Sequence, residues 1–159
     1  MVKMKRFLVL FLLLSSTAVF SQKKNQTNSW VGTYKLDVAQ SKISGNAPTE
    51  ETVAVSSATK DSVKYTIQGK DAQGNSYTMN YEGKVGTAAP QMAEGKEIAQ
   101  ITYQMPSPNK FTSQGRGSDG STSTGTITLA KDNKTITVQE HSKDAKGAEH
   151  DQTMVYVRQ

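Results

Sequence analysis

The stretch Val63-Lys64-Tyr65-Thr66-Ile67-Gln68-Gly69-Lys70-Asp71-Ala72-Gln73-Gly74-Asn75-Ser76-Tyr77-Thr78-Met79-Asn80-Tyr81 reads as two alternating segments around a turn. Val63, Tyr65 and Ile67 fall on one face of an extended chain, and Lys64, Thr66 and Gln68 on the other. After Lys70-Asp71-Ala72-Gln73-Gly74 the alternation resumes, with Tyr77, Met79 and Tyr81 against Thr78, Asn80 and Glu82. Closing Gly69 against Asn75 sets Ile67 opposite Tyr77, Tyr65 opposite Met79 and Val63 opposite Tyr81. Every apolar residue then lies on one side, as a half-buried hairpin requires.

The same device recurs towards the C-terminus, where Lys143-Asp144-Ala145-Lys146-Gly147 repeats the Lys-Asp-Ala-x-Gly loop. Closing Ser142 against Ala148 pairs Ile136 with Met154, Val138 with Gln152 and Glu140 with His150. A third hairpin is expected to turn at Ser118-Asp119-Gly120 and pair Phe111 with Ile127. A fourth turns through Pro106 to Lys110 and pairs Met105 with Phe111. Gly115-Arg116-Gly117-Ser118-Asp119-Gly120 is glycine-rich, but no helix comes after it to cradle a phosphate, so it reads as part of a hairpin. Thr87 to Lys96 is expected as a loop, with room for a short extra strand near Val85. Val38 to Ile43 suggests one helical turn, stopped by Ser44-Gly45-Asn46-Ala47-Pro48. No amphipathic helix of useful length is present.

Short alternating segments rich in Val, Ile, Thr and Tyr, separated by turn residues, predict an all-β fold. The expectation is an antiparallel up-and-down meander of 8–10 strands closed into a small barrel, since closure removes exposed edges. The 159-residue chain has room for one such domain. Met1 to Arg6 is basic, Phe7 to Leu14 is apolar, and Ser15 to Ser21 is mostly small and polar. This is the layout of a signal peptide, with cleavage expected after Ser21. The expected organisation is therefore a leader over 1–21, a polar lead-in over 22–29 and the barrel over 30–159. The leader carries three of the 19 Lys and Arg residues and no acid. The remainder of the chain is close to neutral, which argues against a nucleic-acid partner. With no cysteine in the chain, neither disulfides nor a lipid-modified cysteine can form. An exported product, periplasmic or extracellular and without a membrane anchor, is expected.

Trp30-Val31-Gly32-Thr33-Tyr34-Lys35-Leu36 resembles the opening strand of fatty-acid-binding proteins, F-V-G-T-W-K-L, and the G-x-W signature of lipocalins, with Tyr34 in the tryptophan place. Thr153-Met154-Val155-Tyr156-Val157-Arg158 resembles the closing strand of the same calycin group, T-R-V-Y-V-R. Two departures matter. Val38 to Thr49 is too short for a helical lid, and Met154 stands where that family carries its carboxylate-binding arginine. Tyr156 keeps its partner position, but fatty-acid binding is not carried over. Gly32 to Asp37 with Ser41-Lys42-Ile43, Asp132 to Val138, and Asp144 to Gly147 are together similar to small secreted bacterial lipocalin-like proteins. That resemblance implies a fold and a compartment but no reaction.

The inward face of the last hairpin carries Glu140, His150 and Gln152, and beyond them Met154 and Tyr156. A polar set above an apolar pocket suits ligand orientation. Glu140, His150, Gln152, Tyr156, Tyr77 and Tyr65 are therefore the candidate ligand-binding residues. His141 and Glu149 form the matching outward pair, so the histidines and glutamates do not converge as a metal would need. No nucleophile motif is present, and neither a cofactor nor catalysis is expected. The sequence points to non-enzymatic binding of a small, partly apolar ligand inside the barrel. The alternative is a filled barrel that works through its outer surface on a protein or glycan.

Overall fold

The computed structural model describes residues 29–45 and 47–159. The expected leader and all but Ser29 of the lead-in lie outside the described residues. Ten strands succeed one another: β1 (Gly32–Leu36), β2 (Glu50–Ala58), β3 (Ser62–Lys70), β4 (Ser76–Lys84), β5 (Ala89–Ala93), β6 (Lys96–Ser107), β7 (Lys110–Gly117), β8 (Thr122–Leu129), β9 (Thr135–Lys143) and β10 (Glu149–Arg158). Each pairs antiparallel with its chain neighbours, and β1 pairs with β10 to close the barrel. The expected up-and-down meander is therefore the observed architecture, with no helix among the described residues.

The hairpin parity holds, but the register of two hairpins differs from expectation. Lys70 pairs with Ser76, so Ile67 faces Met79, Tyr65 faces Tyr81, and Gly69 faces Tyr77. Likewise Lys143 pairs with Glu149, Ser142 with His150 and Glu140 with Gln152. The cause lies in the loop aspartates. Asp71 Oδ1 accepts the backbone N–H groups of Gln73 (2.9 Å) and Asn75 (2.8 Å), and Asp144 Oδ1 those of Lys146 (2.8 Å) and Ala148 (2.9 Å). Each aspartate thus opens its loop instead of sitting inside it. The lysine before it becomes the last strand residue, which moves the pairing by two positions and keeps the faces. The Phe111–Ile127 pair is as expected. Between β6 and β7, Gln104 pairs with Thr112, the register expected there, before an irregularity that runs to Ser107.

Thr87 to Lys96 is not a plain loop, because it contains β5. That strand turns into β6 at Glu94-Gly95, both at positive φ (49° and 77°). This is the backbone of a tight two-residue hairpin, usually marked by Asn-Gly or Asp-Gly. β2 begins at a charged pair, Glu50-Glu51, ahead of the apolar alternation at Val53 and Val55.

The packed end of the barrel is built on Trp30, Tyr34, Leu36, Phe111, Leu129 and Ile136, all buried. Trp30 meets Phe111 edge to face, with centroids 5.2 Å apart, and its indole N–H donates to the Pro108 carbonyl at 2.9 Å. Arg158 locks the seam. Its Nη1 donates to the Val31 carbonyl (2.7 Å), its Nη2 to that of Ser29 (2.5 Å) and its Nε to that of Asn133 (2.7 Å). The guanidinium also bonds the Tyr34 hydroxyl and lies 4.7 Å from that ring's centroid. A Cβ at position 32 would collide with Nη1, so this contact requires Gly32. Beyond the end of β1, Lys42 bridges to Thr153, and Ser41 Oγ accepts the Val155 N–H at 2.9 Å. A single turn at 38–40 thus continues the seam where a lid would otherwise stand.

Hydrogen bonds from Asn75 hold the Asp71 carboxyl below its usual value of 3.8, and backbone N–H groups do the same for Asp144. Stability from these loops is therefore complete above about pH 4 and is lost as pH falls through the lowered folded values. The double variant Asp71→Asn/Asp144→Asn should show a shallower loss of urea midpoint between about pH 4 and pH 2 than the parent.

Candidate functional site

The barrel is hollow. A cavity of about 650 Å³ runs from Trp30 and Tyr34 at the packed end to a rim of Arg116, Ser118, Asp119, Lys143 and Asp144. One wall is apolar and comes from β2 and β3 through Val53, Val55, Val63 and Ile67. In a ring of ten strands, β7 and β8 stand five places away and form the opposite wall. That wall is made of very small residues. Ser113 pairs with Gly125, and Gly115 with Ser123, so each serine faces the other strand's glycine. A Cβ at Gly125 would lie 2.5 Å from Ser113 Oγ, and one at Gly115 would lie 2.6 Å from Ser123 Oγ. The hydroxyls occupy the glycine positions, and no longer side chain fills the centre.

Between the two walls stands an aromatic set. Tyr65 and Tyr81 stack at 5.4 Å, and Tyr103 meets Tyr81 edge-on at 5.1 Å. The Tyr65 and Tyr103 hydroxyls are 2.9 Å apart, and Gln91 Nε2 donates to Tyr65 Oη at 3.3 Å. Burial pushes the phenols of Tyr65, Tyr81 and Tyr103 above their usual value of 10.0.

Tyr65, Glu140, His150 and Tyr156 of the candidate set line the cavity. Tyr77 and Gln152 do not. The pairing of Glu140 with His150 is corrected by the register: Glu140 Oε1 accepts Gln152 Nε2 at 2.9 Å, whereas His150 lies at the rim, 3.9 Å from Asp144. The outward partner of His141 is Asp151 at 2.8 Å, not Glu149, which lies 3.9 Å from Lys143.

Tyr77 is occupied elsewhere. Its ring crosses Gly69, and its hydroxyl donates to Glu51 Oε2. Tyr156 donates to Glu51 Oε1 at 2.5 Å. Glu51 is 7% exposed and is the one buried charged side chain among the described residues. It joins β2, β4 and β10 through two phenols, which is how a buried carboxylate offsets its desolvation. Burial first, and then the Glu51 carboxylate, raise both phenols. Glu51 is absent from the candidate set drawn from the sequence. The signal for it is parity, since it falls on the Val53 and Val55 face once β2 is extended to Glu50.

No family model and no curated protein matches the chain. Solved structures do. The fluorescent protein UnaG, as a point mutant, superimposes with a TM-score of 0.55 at 12% identity, covering 83% of this chain and 97% of that one. A fatty acid binding protein of Schistosoma mansoni in complex with arachidonic acid gives 0.53 at 13% identity, over 82% and 96%. A redesigned β-barrel gives 0.51 at 10%, over 83% and 93%. At these identities the likeness is one of fold, and the fold is that of the calycin group of barrels.

Glu51→Ala should destabilise the protein by about 2–4 kcal/mol in urea unfolding, because it leaves two buried hydroxyls unpaired. Tyr77→Phe and Tyr156→Phe should each cost about 1–2 kcal/mol, and their double variant should depart from additivity. All six tyrosines are held above 10.0. For a raised phenol, stability is complete below the unfolded value and is lost as pH rises past it. Absorbance at about 295 nm should therefore show little tyrosinate at about pH 10. It should then rise in one step that coincides with alkaline unfolding by circular dichroism.

Proposed function

We propose that this protein is an exported, non-enzymatic barrel that holds a small, partly apolar ligand in its interior. The observation that carries this reading is the cavity of about 650 Å³. Its size falls in the range of small-molecule sites, and its apolar lining with a few inward polar groups is their usual chemistry. A filled barrel that acts only through its outer surface fits this interior less well. Export is supported by the basic, apolar and small-polar order of Met1 to Ser21. The similarity to secreted bacterial lipocalin-like proteins in Gly32–Asp37, Asp132–Val138 and Asp144–Gly147 agrees with it. The non-enzymatic reading is supported by the side-chain contacts of the histidines, which are to carboxylates: His141 to Asp151 at 2.8 Å and His150 to Asp144 at 3.9 Å. A barrel of similar fold binds a fatty acid. Here Met154 stands where the resemblance places a cation, so fatty-acid binding is not carried over to this chain.

Native mass spectrometry of the protein purified gently from an exporting bacterial host is the direct test. The expected result is a discrete extra mass lost on denaturation, with the bare chain starting at Gln22. A bare native mass, together with no fluorescence gain from an anilinonaphthalene sulfonate dye, would overturn the binding reading.

A further inference from the structure

We propose that the ligand carries a cationic or strongly hydrogen-bond-donating head, such as an amine on an apolar body, and that Glu140 is its counter-charge. This rests on the interior-binding reading above. Across β6 to β10, one row of the sheet places Tyr103, Ser113, Gly125, Glu140 and Gln152 side by side. Glu140 lines the cavity. Its Oε1 is taken by Gln152 Nε2 at 2.9 Å, and its Oε2 has no protein partner among the described residues. Glu51, the other inward carboxylate, is fully engaged by Tyr77 and Tyr156.

No lysine or arginine side chain among the described residues answers Glu140 from within. Arg116 and Lys143 sit at the rim, exposed, and Lys143 lies 3.9 Å from Glu149. Their inward neighbours along the strands are Gly115, Gly117 and Ser142. His150 is also at the rim, 3.9 Å from Asp144. Arg158 is engaged at the packed end by three carbonyls and Tyr34. The charge of Glu140 reaches the interior, since it helps to raise the phenols of Tyr103 and Tyr156. A carboxylate-headed ligand placed in this row would meet like charge and gain no cation. An ammonium would meet Oε2, with the hydroxyls of Ser113 and Ser123 on the next strands as further acceptors. The Ser–Gly wall leaves the space beside Glu140 for such a head, and the Val53, Val55 and Ile67 wall takes an apolar body.

The test compares dodecylamine, dodecanol and dodecanoic acid on the full protein by calorimetry at neutral pH, each below its solubility limit and, for the two ionic ligands, below the critical micelle concentration. The amine should bind about tenfold or more tightly than the acid, as a charge-assisted hydrogen bond inside a cavity requires. In Glu140→Gln, which keeps an acceptor for Gln152, the amine should fall to the level of the alcohol while alcohol binding persists. Acid binding equal to or tighter than amine binding, with the alcohol also bound, would overturn the charge assignment and leave the pocket reading standing. Binding of none of the three would overturn both. The wild-type comparison decides the matter even if the variant folds poorly.

Discussion

Everything in this barrel depends on the seam where its two ends meet. An up-and-down meander makes each hairpin locally, but the pairing of β1 with β10 joins residues more than a hundred positions apart. That seam is thin. Only three residue pairs join β1 to β10, and four join β1 to β2. Without it, two neighbouring strands would present open edges. Arg158 reinforces the seam from one side. One planar fork binds carbonyls before β1 and after β8, and it covers the Tyr34 ring. A lysine could not reproduce that geometry. Glu51 reinforces the seam at the last residue of β1, by holding Tyr156 of β10, the partner of Leu36, to β2. Both devices add side-chain hydrogen bonds at a place where backbone pairing alone is short.

A closed barrel of this size has a choice between filling and hollowness, and side-chain volume decides it. At the packed end, large residues meet across the axis, with Trp30, Phe111 and Tyr34 among them. In the middle, β7 and β8 contribute serine and glycine where strands of similar burial would carry valine or isoleucine. Gly in a strand is unfavourable on its own. Two such glycines, each covered by a serine from the partner strand, weaken their strands and leave only space. The same trade is made at Gly69, where the missing side chain lets Tyr77 reach Glu51. The interior is therefore shaped by omission as much as by packing.

Parity is legible in the sequence and register is not, and the reason is physical. Alternation with period two assigns faces without any knowledge of loops, so it places Tyr65, Glu140, His150 and Tyr156 inside, and all four line the cavity. Register depends on how the loop closes, and there the Asp71 and Asp144 carboxylates decide by gathering two backbone N–H groups each. β5 is hidden because its hairpin turns on Glu94-Gly95, and glutamate is a rare first residue for that backbone. Glu51 is hidden because a charged residue at a strand start reads as loop, whereas two tyrosines distant in sequence make it an interior group. The Ser-x-Gly repeats at 113–115 and 123–125 are visible, but their meaning needs the antiparallel pairing that sets serine on glycine. The expected leader rests on the sequence alone, since residues 1–28 lie outside the described structure.

The interior also separates two uses of a buried acid. Glu51 accepts one phenolic hydrogen bond on each oxygen, so its role is complete within the fold. Among the described residues Glu140 is only half partnered, by a neutral amide on one oxygen. A cavity-facing carboxylate with a free oxygen is a poor choice for stability alone, because an apolar residue there would remove a desolvation penalty. The strand offers that alternative readily, since Val138 and Ile136 occupy the preceding inward positions. Placing an acid at the next inward position, beside a wall kept empty by Ser113, Gly125 and Ser123, makes sense when the missing partner arrives from outside the chain. Stability then resides at the packed end and the seam, and on the proposed reading recognition resides in the row that the fold leaves unfinished.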